Sequence, residues 1–238
     1  MTLRIFPDDR SLARGAAGAI RDLIVSAIDA RGVSRVVLAG GGTPAATYRA
    51  LSGMKLPWEK TAWYFGDERM VPAAHPESNA RMARENLFQR LPGAPFRIHT
   101  IDGTRTPGEA ARAYEGLLRQ ARTPGTEHRA PLFDLVLLGL GADGHTASLF
   151  PDDGALDSNG RWALPVLAPP GHAVRERVTL TVECIHLSRE RWFLVSGGGK
   201  REILARVLTS NPTPSLPATL LADGATWFVD RAAAGSRE

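Results

Sequence analysis

Phe133-Asp-Leu-Val-Leu-Leu-Gly-Leu-Gly-Ala-Asp-Gly-His-Thr-Ala-Ser-Leu-Phe-Pro151 joins an apolar run of strand length to a sharp polar turn. The run from Leu135 to Leu140 ends at Gly141, and the next positions deliver Asp143, Gly144 and His145. A buried strand that opens into an Asp-Gly-His turn is how an α/β sheet presents a base at the carboxyl end of a strand, where such sheets bind ligands. The same letters contain Gly139-Leu-Gly-Ala-Asp-Gly144, a match to the dinucleotide fingerprint G-x-G-x-x-G. That fingerprint must open a full helix aimed at a pyrophosphate, with an acidic residue about 20 positions on. Here Pro151-Asp-Asp-Gly154 follows after one short turn, and proline there removes a backbone donor and restricts the residue before it. No crossover helix fits, so the reading is of a catalytic turn and not a nicotinamide site.

Outward from this stretch the pattern alternates. Asp8 or Asp9 can cap a helix whose apolar positions Leu12, Ala16, Ile20, Leu23 and Ala27 recur at helical spacing until Gly32. Val36–Ala39 reads as a strand running into Gly40-Gly-Gly-Thr-Pro44, with Thr43 as N-cap and Pro44 in the first turn of a helix. Ala62–Phe65 is a strand opening into Gly66-Asp-Glu-Arg69. A helix capped near Ser78 runs to about Leu91 and stops at Pro92, and Arg97–Ile101 is strand-like. Thr106-Pro-Gly-Glu109 is a capping box that starts a helix to about Arg122. Residues 151–170 look loose. Val178–Val182, Trp192–Val195 and Ala225–Val229 read as strands, the last closing the sheet, and a helix to about Leu208 follows Ser196-Gly-Gly-Gly-Lys200. The expected fold is α/β: a Rossmann-like three-layer sandwich, a mostly parallel sheet with helices on both faces. Residues 1–230 make one domain, and the tail from Arg231 is expected to fray.

Composition narrows the function classes. With 238 residues, 43% hydrophobic and 23% charged, the chain has the balance of a globular domain with a sizeable core. No apolar run approaches the ~20 residues a bilayer needs, the N-terminus lacks a secretory layout, and the single Cys184 cannot form an internal disulfide. A cytoplasmic protein with no membrane partner is expected. The net charge of +4 comes from scattered basic residues, without the clustering a nucleic-acid face requires. Only Lys55, Lys60 and Lys200 of the 29 basic residues are lysine, so a lysine straight after three glycines invites a chemical reason.

Four unusual loops each follow a strand: Gly40–Thr43, Gly66–Arg69, Gly141–His145 and Ser196–Lys200. Parallel strands would bring all four to one edge. Glycine turns that open helices cradle anions, because unpaired N–H groups and the helix dipole face the ligand. Position 194 is leucine and position 201 arginine, so Lys200 does not belong to a Walker A loop, and a single phosphate is the expected anion. His145 is the candidate for proton transfer. His75, His99, His128, His172 and His186 read as surface or core residues. No established metal-ligand spacing is present.

Gly40-Gly-Gly-Thr-Pro44, Gly66-Asp-Glu-Arg69, Gly139 through Pro151, Arg177-Val-Thr-Leu-Thr181 and Gly198-Gly-Lys200 resemble, in order and spacing, the motifs of the 6-phosphogluconolactonase family. The resemblance implies hydrolysis of 6-phospho-D-glucono-1,5-lactone in the oxidative pentose phosphate pathway, with no cofactor and no metal. The catalytic residues it points to are His145, Asp143 and Asp67. The substrate-binding residues are Gly41, Gly42, Thr43, Arg69, Gly144, Arg177 and Lys200. The partner is the small sugar-phosphate lactone, and the chain is expected to be a monomer or weak homodimer. Ser196 stands where the family more often has an acidic residue ahead of the glycines and the lysine. The rival readings are a glucosamine-6-phosphate deaminase-like isomerase and a non-catalytic sugar-phosphate sensor. The deaminase segment resembles Gly-His-Ile-Ala-Phe-Asn-Glu-Pro, with a carboxylate five residues after the histidine. This chain has Phe150 there, which relays no proton, and it carries no appended helix-turn-helix.

Overall fold

The computed structural model describes residues 1–91, 93, 96–122 and 131–235. The expected stop at Pro92, His128 and the last three residues of the tail lie outside them. In chain order the elements are β1 (Thr2–Phe6), α1 (Asp9–Arg31), β2 (Ser34–Leu38), α2 (Gly42–Ser52), β3 (Thr61–Phe65), β4 (Asp67–Arg69), α3 (Asn79–Asn86), β5 (Arg97–Ile98), α4 (Pro107–Gln120), β6 (Phe133–Leu138), β7 (Ala163–Leu167), β8 (Glu176–Leu180), α5 (Val182–His186), β9 (Ser188–Val195), α6 (Arg201–Thr209), β10 (Thr226–Asp230) and α7 (Arg231–Ala234).

Seven strands form one parallel sheet in the order β1-β10-β9-β6-β2-β3-β5. Every residue of β3 and β6 is buried, as expected of strands covered on both faces. By the right-handed crossover rule, the strand order assigns α1 and α2 to one face and α4 and α6 to the other. Accordingly α1 packs on α2, β2 and β10, burying Leu12, Ala16, Ile20 and Ile24. After β2 the chain moves to β3 on one side, and after β6 it moves to β9 on the other. The carboxyl ends of neighbouring β2 and β6 are therefore the topological switch point, where such sheets hold ligands.

Two buried phenols secure the strand ends around that point. The Tyr48 hydroxyl of α2 accepts from the Ala39 N–H at 2.8 Å and donates to the Ala39 carbonyl at 2.9 Å. The Tyr114 hydroxyl of α4 does the same for Phe65, at 2.8 and 3.0 Å. Each satisfies a backbone pair where a strand leaves the ladder.

The structure departs from the sequence reading in several places. β1 is an additional edge strand, so β10 lies inside the sheet. Its side chains are largely exposed, which weakens the apolar alternation that marks a strand. Gly66–Arg69 is not wholly a loop: Asp67–Arg69 is β4, which pairs antiparallel with β8 in a second, three-stranded sheet β4-β8-β7. The strand expected at Val178–Val182 runs instead over Glu176–Leu180, and Thr181 caps α5. β7 lies within the stretch read as loose. Thr43 is not an N-cap, because α2 begins at Gly42 on Gly41. Arg231–Ala234 forms a helical turn capped by Asp230, where a loose tail was expected. Among the described residues no helix is long and apolar enough to cross a membrane.

Candidate functional site

A cleft of about 290 Å³ opens at the switch point. Gly41, Gly42, Thr43, Asp67, Arg69, His145, Arg177 and Lys200 all line it. They come from the loops after β2, β6 and β9 and from the second sheet, so most of the residues singled out in the sequence share one space. Asp143 and Gly144 do not line it. Gly144 is a turn residue: its carbonyl accepts from the Ala218 N–H at 3.0 Å, and Leu216 packs against its Cα position. The helix that a dinucleotide would need is absent, since Thr146 pairs with Leu149 in an isolated bridge.

Asp143 serves His145 directly. Its Oδ1 stands 2.5 Å from the imidazole Nδ1 and also accepts the His145 backbone N–H at 3.1 Å. Burial alone would raise this carboxyl. The two hydrogen bonds and the charge of His145 outweigh it and hold Asp143 at about 2. An ionised Asp143 can only accept, so Nδ1 of a neutral ring carries the proton and Nε2 keeps its lone pair. That is the tautomer of a general base. Gly141 makes the close approach possible, because a Cβ there would collide with the His145 ring and the Asp143 carboxylate.

The opposite side of the cleft is built for an anion. Helices α1, α3, α5 and α7 start on side-chain caps (Asp8, Ser78, Thr181, Asp230), and α4 starts on the Thr106–Glu109 capping box. Helices α2 and α6 start on none. The α2 N-terminus faces the cleft through Gly42 and Thr43, leaving backbone donors open to a ligand. Helix α6 instead continues a 3-10 turn, Gly198–Lys200, in which the Lys200 N–H is taken by the Gly197 carbonyl at 3.0 Å, and Lys200 lines the cleft. Gly41 sits at φ 102, a conformation that side-chain-bearing residues rarely adopt, and so turns the chain from β2 into α2. Thr43 Oγ1 and Ser196 Oγ lie 2.7 Å apart, tying the two glycine loops together. Asp230 accepts the Gly197 N–H and anchors the second loop from behind.

Arg69 and Arg177 face each other across β4 and β8. Like charges opposite one another in a ladder repel. Burial first, then the charge of Arg69, weakens the hold of Arg177 on its proton. Arg69 donates to the Glu77 carbonyl at 2.6 Å, but its buried Nε has no partner. Against three cations the cleft lining holds one carboxylate, Asp67, whose oxygens accept from Ser148 at 2.6 Å and Asn79 at 3.0 Å.

Neither Asp67 nor Glu68 is a solvated loop charge: both are buried. Glu68 is structural. It accepts the backbone N–H groups of Asn79 and Ala80 and the Ser78 hydroxyl, at 2.8, 2.8 and 3.0 Å, and so holds the start of α3. Sequence reasoning gave no role to Asn79, Ser148 or His172, and noted Ser196 only as part of its loop. Asn79 carries no motif signal, and Ser148 lies inside the Gly139–Pro151 motif without a feature that marks it. His172 was read as surface or core, yet its ring lies 6.0 Å from that of His145. The other described histidines are structural: His99 stacks on Tyr64, His186 Nε2 contacts the Leu220 carbonyl, and His75 Nδ1 accepts the Glu77 N–H. Among the described residues no group of three His, Cys, Asp or Glu side chains gathers as metal ligands.

Residues 7–229 match the family model for glucosamine-6-phosphate isomerases/6-phosphogluconolactonase. The 6-phosphogluconolactonase of Mycobacterium tuberculosis is 36% identical over 242 residues, covering 98% of this chain and 97% of the relative. The crystal structure of the Thermotoga maritima 6-phosphogluconolactonase matches with a TM-score of 0.82 and 31% identity, over 96% of this chain and 99% of that one. A monomeric glucosamine-6-phosphate deaminase shares the fold at a TM-score of 0.83 and 23% identity, over 98% of this chain and 99% of that one. The fold is thus common to both activities, and the choice between them falls to the site. The chain belongs to the glucosamine-6-phosphate isomerase/6-phosphogluconolactonase family.

Proposed function

We propose that this chain hydrolyses 6-phospho-D-glucono-1,5-lactone to 6-phospho-D-gluconate. The observation that carries the reading is the Asp143–His145 pair, with its tautomer fixed at 2.5 Å, beside a cleft lined by the uncapped N-terminus of α2 and by Lys200. The 6-phosphate sits on the Gly42 and Thr43 end of α2 with Lys200, and Arg177 adds charge. Binding energy at that end holds the lactone carbonyl near the imidazole. His145 Nε2 takes a proton from a water that attacks C1. The resulting imidazolium, stabilised by ionised Asp143, gives that proton to the ring oxygen as the C1–O bond breaks. Asp67 accepts from the sugar hydroxyls, and the Arg69 guanidinium, at the cleft wall, supplies positive charge to the oxygen that gains charge.

Phe150 weighs against the deaminase chemistry. It is buried with its ring 4.9 Å from that of His145, so the space where a ring-opening carboxylate would act is filled by hydrocarbon. A binding-only sensor has no use for a base held in one tautomer. Purified protein assayed with freshly generated lactone, corrected for spontaneous hydrolysis and run beside an ammonia-release assay with glucosamine 6-phosphate, tests the reading. Lactone turnover without ammonia release is expected. The reverse pattern would replace it with the deaminase.

A further inference from the structure

We propose that His172 is a positioning residue for substrate binding: its imidazole accepts the hydrogen bond that fixes the Arg177 guanidinium at the cleft, and does so only while the ring is neutral. The inference rests on the reading that Arg177 helps hold the anionic end of the substrate.

Arg177 is buried, with no carboxylate in ion-pair contact among the described residues. Its guanidinium is held by three acceptors: the Val174 carbonyl at 3.2 Å from Nε, Ser148 Oγ at 3.4 Å from Nη1, and His172 Nδ1 at 3.2 Å from Nη2. An arginine has no lone pair to offer, so Nδ1 of His172 must accept and its proton must sit on Nε2. His172 belongs to the β7–β8 connection, which brings its ring within 6.0 Å of that of His145 and is closed by the Ala168 N–H on the Arg175 carbonyl at 2.8 Å. The ring packs edge-on against Phe150 at 5.3 Å, and Arg177 lies over the same Phe150 ring at 5.6 Å. Phe150 also touches His145, so one buried aromatic ring supports the base, the arginine and the residue that aims it.

Protonation would reverse the contact. An imidazolium has no acceptor at Nδ1 and would confront Arg177 from β8, Arg69 from β4 and His145 from the turn after β6, with Asp143 opposing them. Burial, and then the Arg177 charge, lowers the pKa of His172, which keeps the ring neutral at neutral pH. The contact is present above that lowered pKa and lost as pH falls through it.

Two substitutions separate the acceptor from the ring. His172→Phe keeps a ring against Phe150 and removes the acceptor, whereas His172→Asn loses the ring and keeps an oxygen close to the Nδ1 position. Steady-state kinetics with fresh lactone, and calorimetric titration with 6-phosphogluconate, are run on both and on wild type, with thermal unfolding as the check on folding. His172→Phe is expected to raise KM and the 6-phosphogluconate Kd about tenfold, the size of one lost charge-assisted bond, while kcat falls far less. His172→Asn is expected to bind close to wild type, and to lack the extra rise in KM that the proposal predicts for wild type as pH falls. Wild-type affinity in His172→Phe, or equal losses of kcat in both variants, overturns the proposal. If wild type binds 6-phosphogluconate but does not hydrolyse the lactone, the proposed reaction fails while the two dissociation constants still decide the role of His172. If wild type binds no 6-phosphogluconate, both readings fall.

Discussion

At the scale of single residues, the activity turns on which imidazole nitrogen carries a proton. Asp143 decides that without entering the cleft itself, so its contribution must pass through His145. His145→Ala is expected to lower kcat by ~10²–10⁴-fold with the fold intact. Asp143→Asn should cost much of the same factor, because an amide neither fixes the tautomer nor stabilises the imidazolium. The double variant should be no slower than His145→Ala alone, which a kinetic double-mutant cycle measures; additive losses would give Asp143 an independent role. Lys200 belongs to the other end of the site. Lys200→Ala is expected to weaken 6-phosphogluconate by roughly 10- to 100-fold and to leave unphosphorylated gluconate unchanged, a difference that calorimetry resolves. Equal effects on both ligands would move the phosphate toward Arg69 and Arg177.

Among the elements, the loops work because the strands beneath them end at fixed places. Tyr48→Phe leaves the Ala39 N–H and carbonyl without their buried partner. The expected cost is about 1–3 kcal/mol in chemical denaturation, with weaker binding of 6-phosphogluconate, since Ala39 leads straight into the Gly40–Thr43 turn. An unchanged midpoint would mean that the strand end has found other partners. The sequence disclosed these loops because turn chemistry is local: the glycine runs, the caps at Asp8, Ser78 and Thr106, and the Asp-Gly-His turn are each readable within a few residues. The second sheet was not readable. β4 is three residues long, and nothing local says that β8 runs antiparallel to it and not alongside the main sheet. His172 was hidden for the same reason, because its contact with Arg177 exists only once the β7–β8 connection has folded back. Gly144 was read as a ligand contact from its place in the motif, and what the fold adds is that it lies outside the cleft lining, with its carbonyl taken by the Ala218 N–H.

For the whole molecule, the reversal of strand order between the parallel neighbours β2 and β6 creates one crevice, and its lining carries an excess of positive charge. The net charge is modest at +4, yet the crevice holds Arg69, Arg177 and Lys200 against Asp67 alone, with the α2 N-terminus adding partial positive charge. A field of this kind draws an anionic substrate in and is screened by salt, with a Debye length that falls from roughly 30 Å at 0.01 M to roughly 3 Å at 1 M. Raising potassium chloride across that range is therefore expected to increase KM for the phosphorylated lactone several-fold. The kcat should hold, because the Asp143–His145 contact is short and local. The unphosphorylated lactone should show almost no salt dependence, and Lys200→Ala should flatten the dependence for the phosphorylated one. Steady-state kinetics over a salt series with both lactones measures this directly. A KM that ignores salt in wild type would mean that the cations act only through direct contacts, and that the arrangement of charge around the switch point does not steer the substrate.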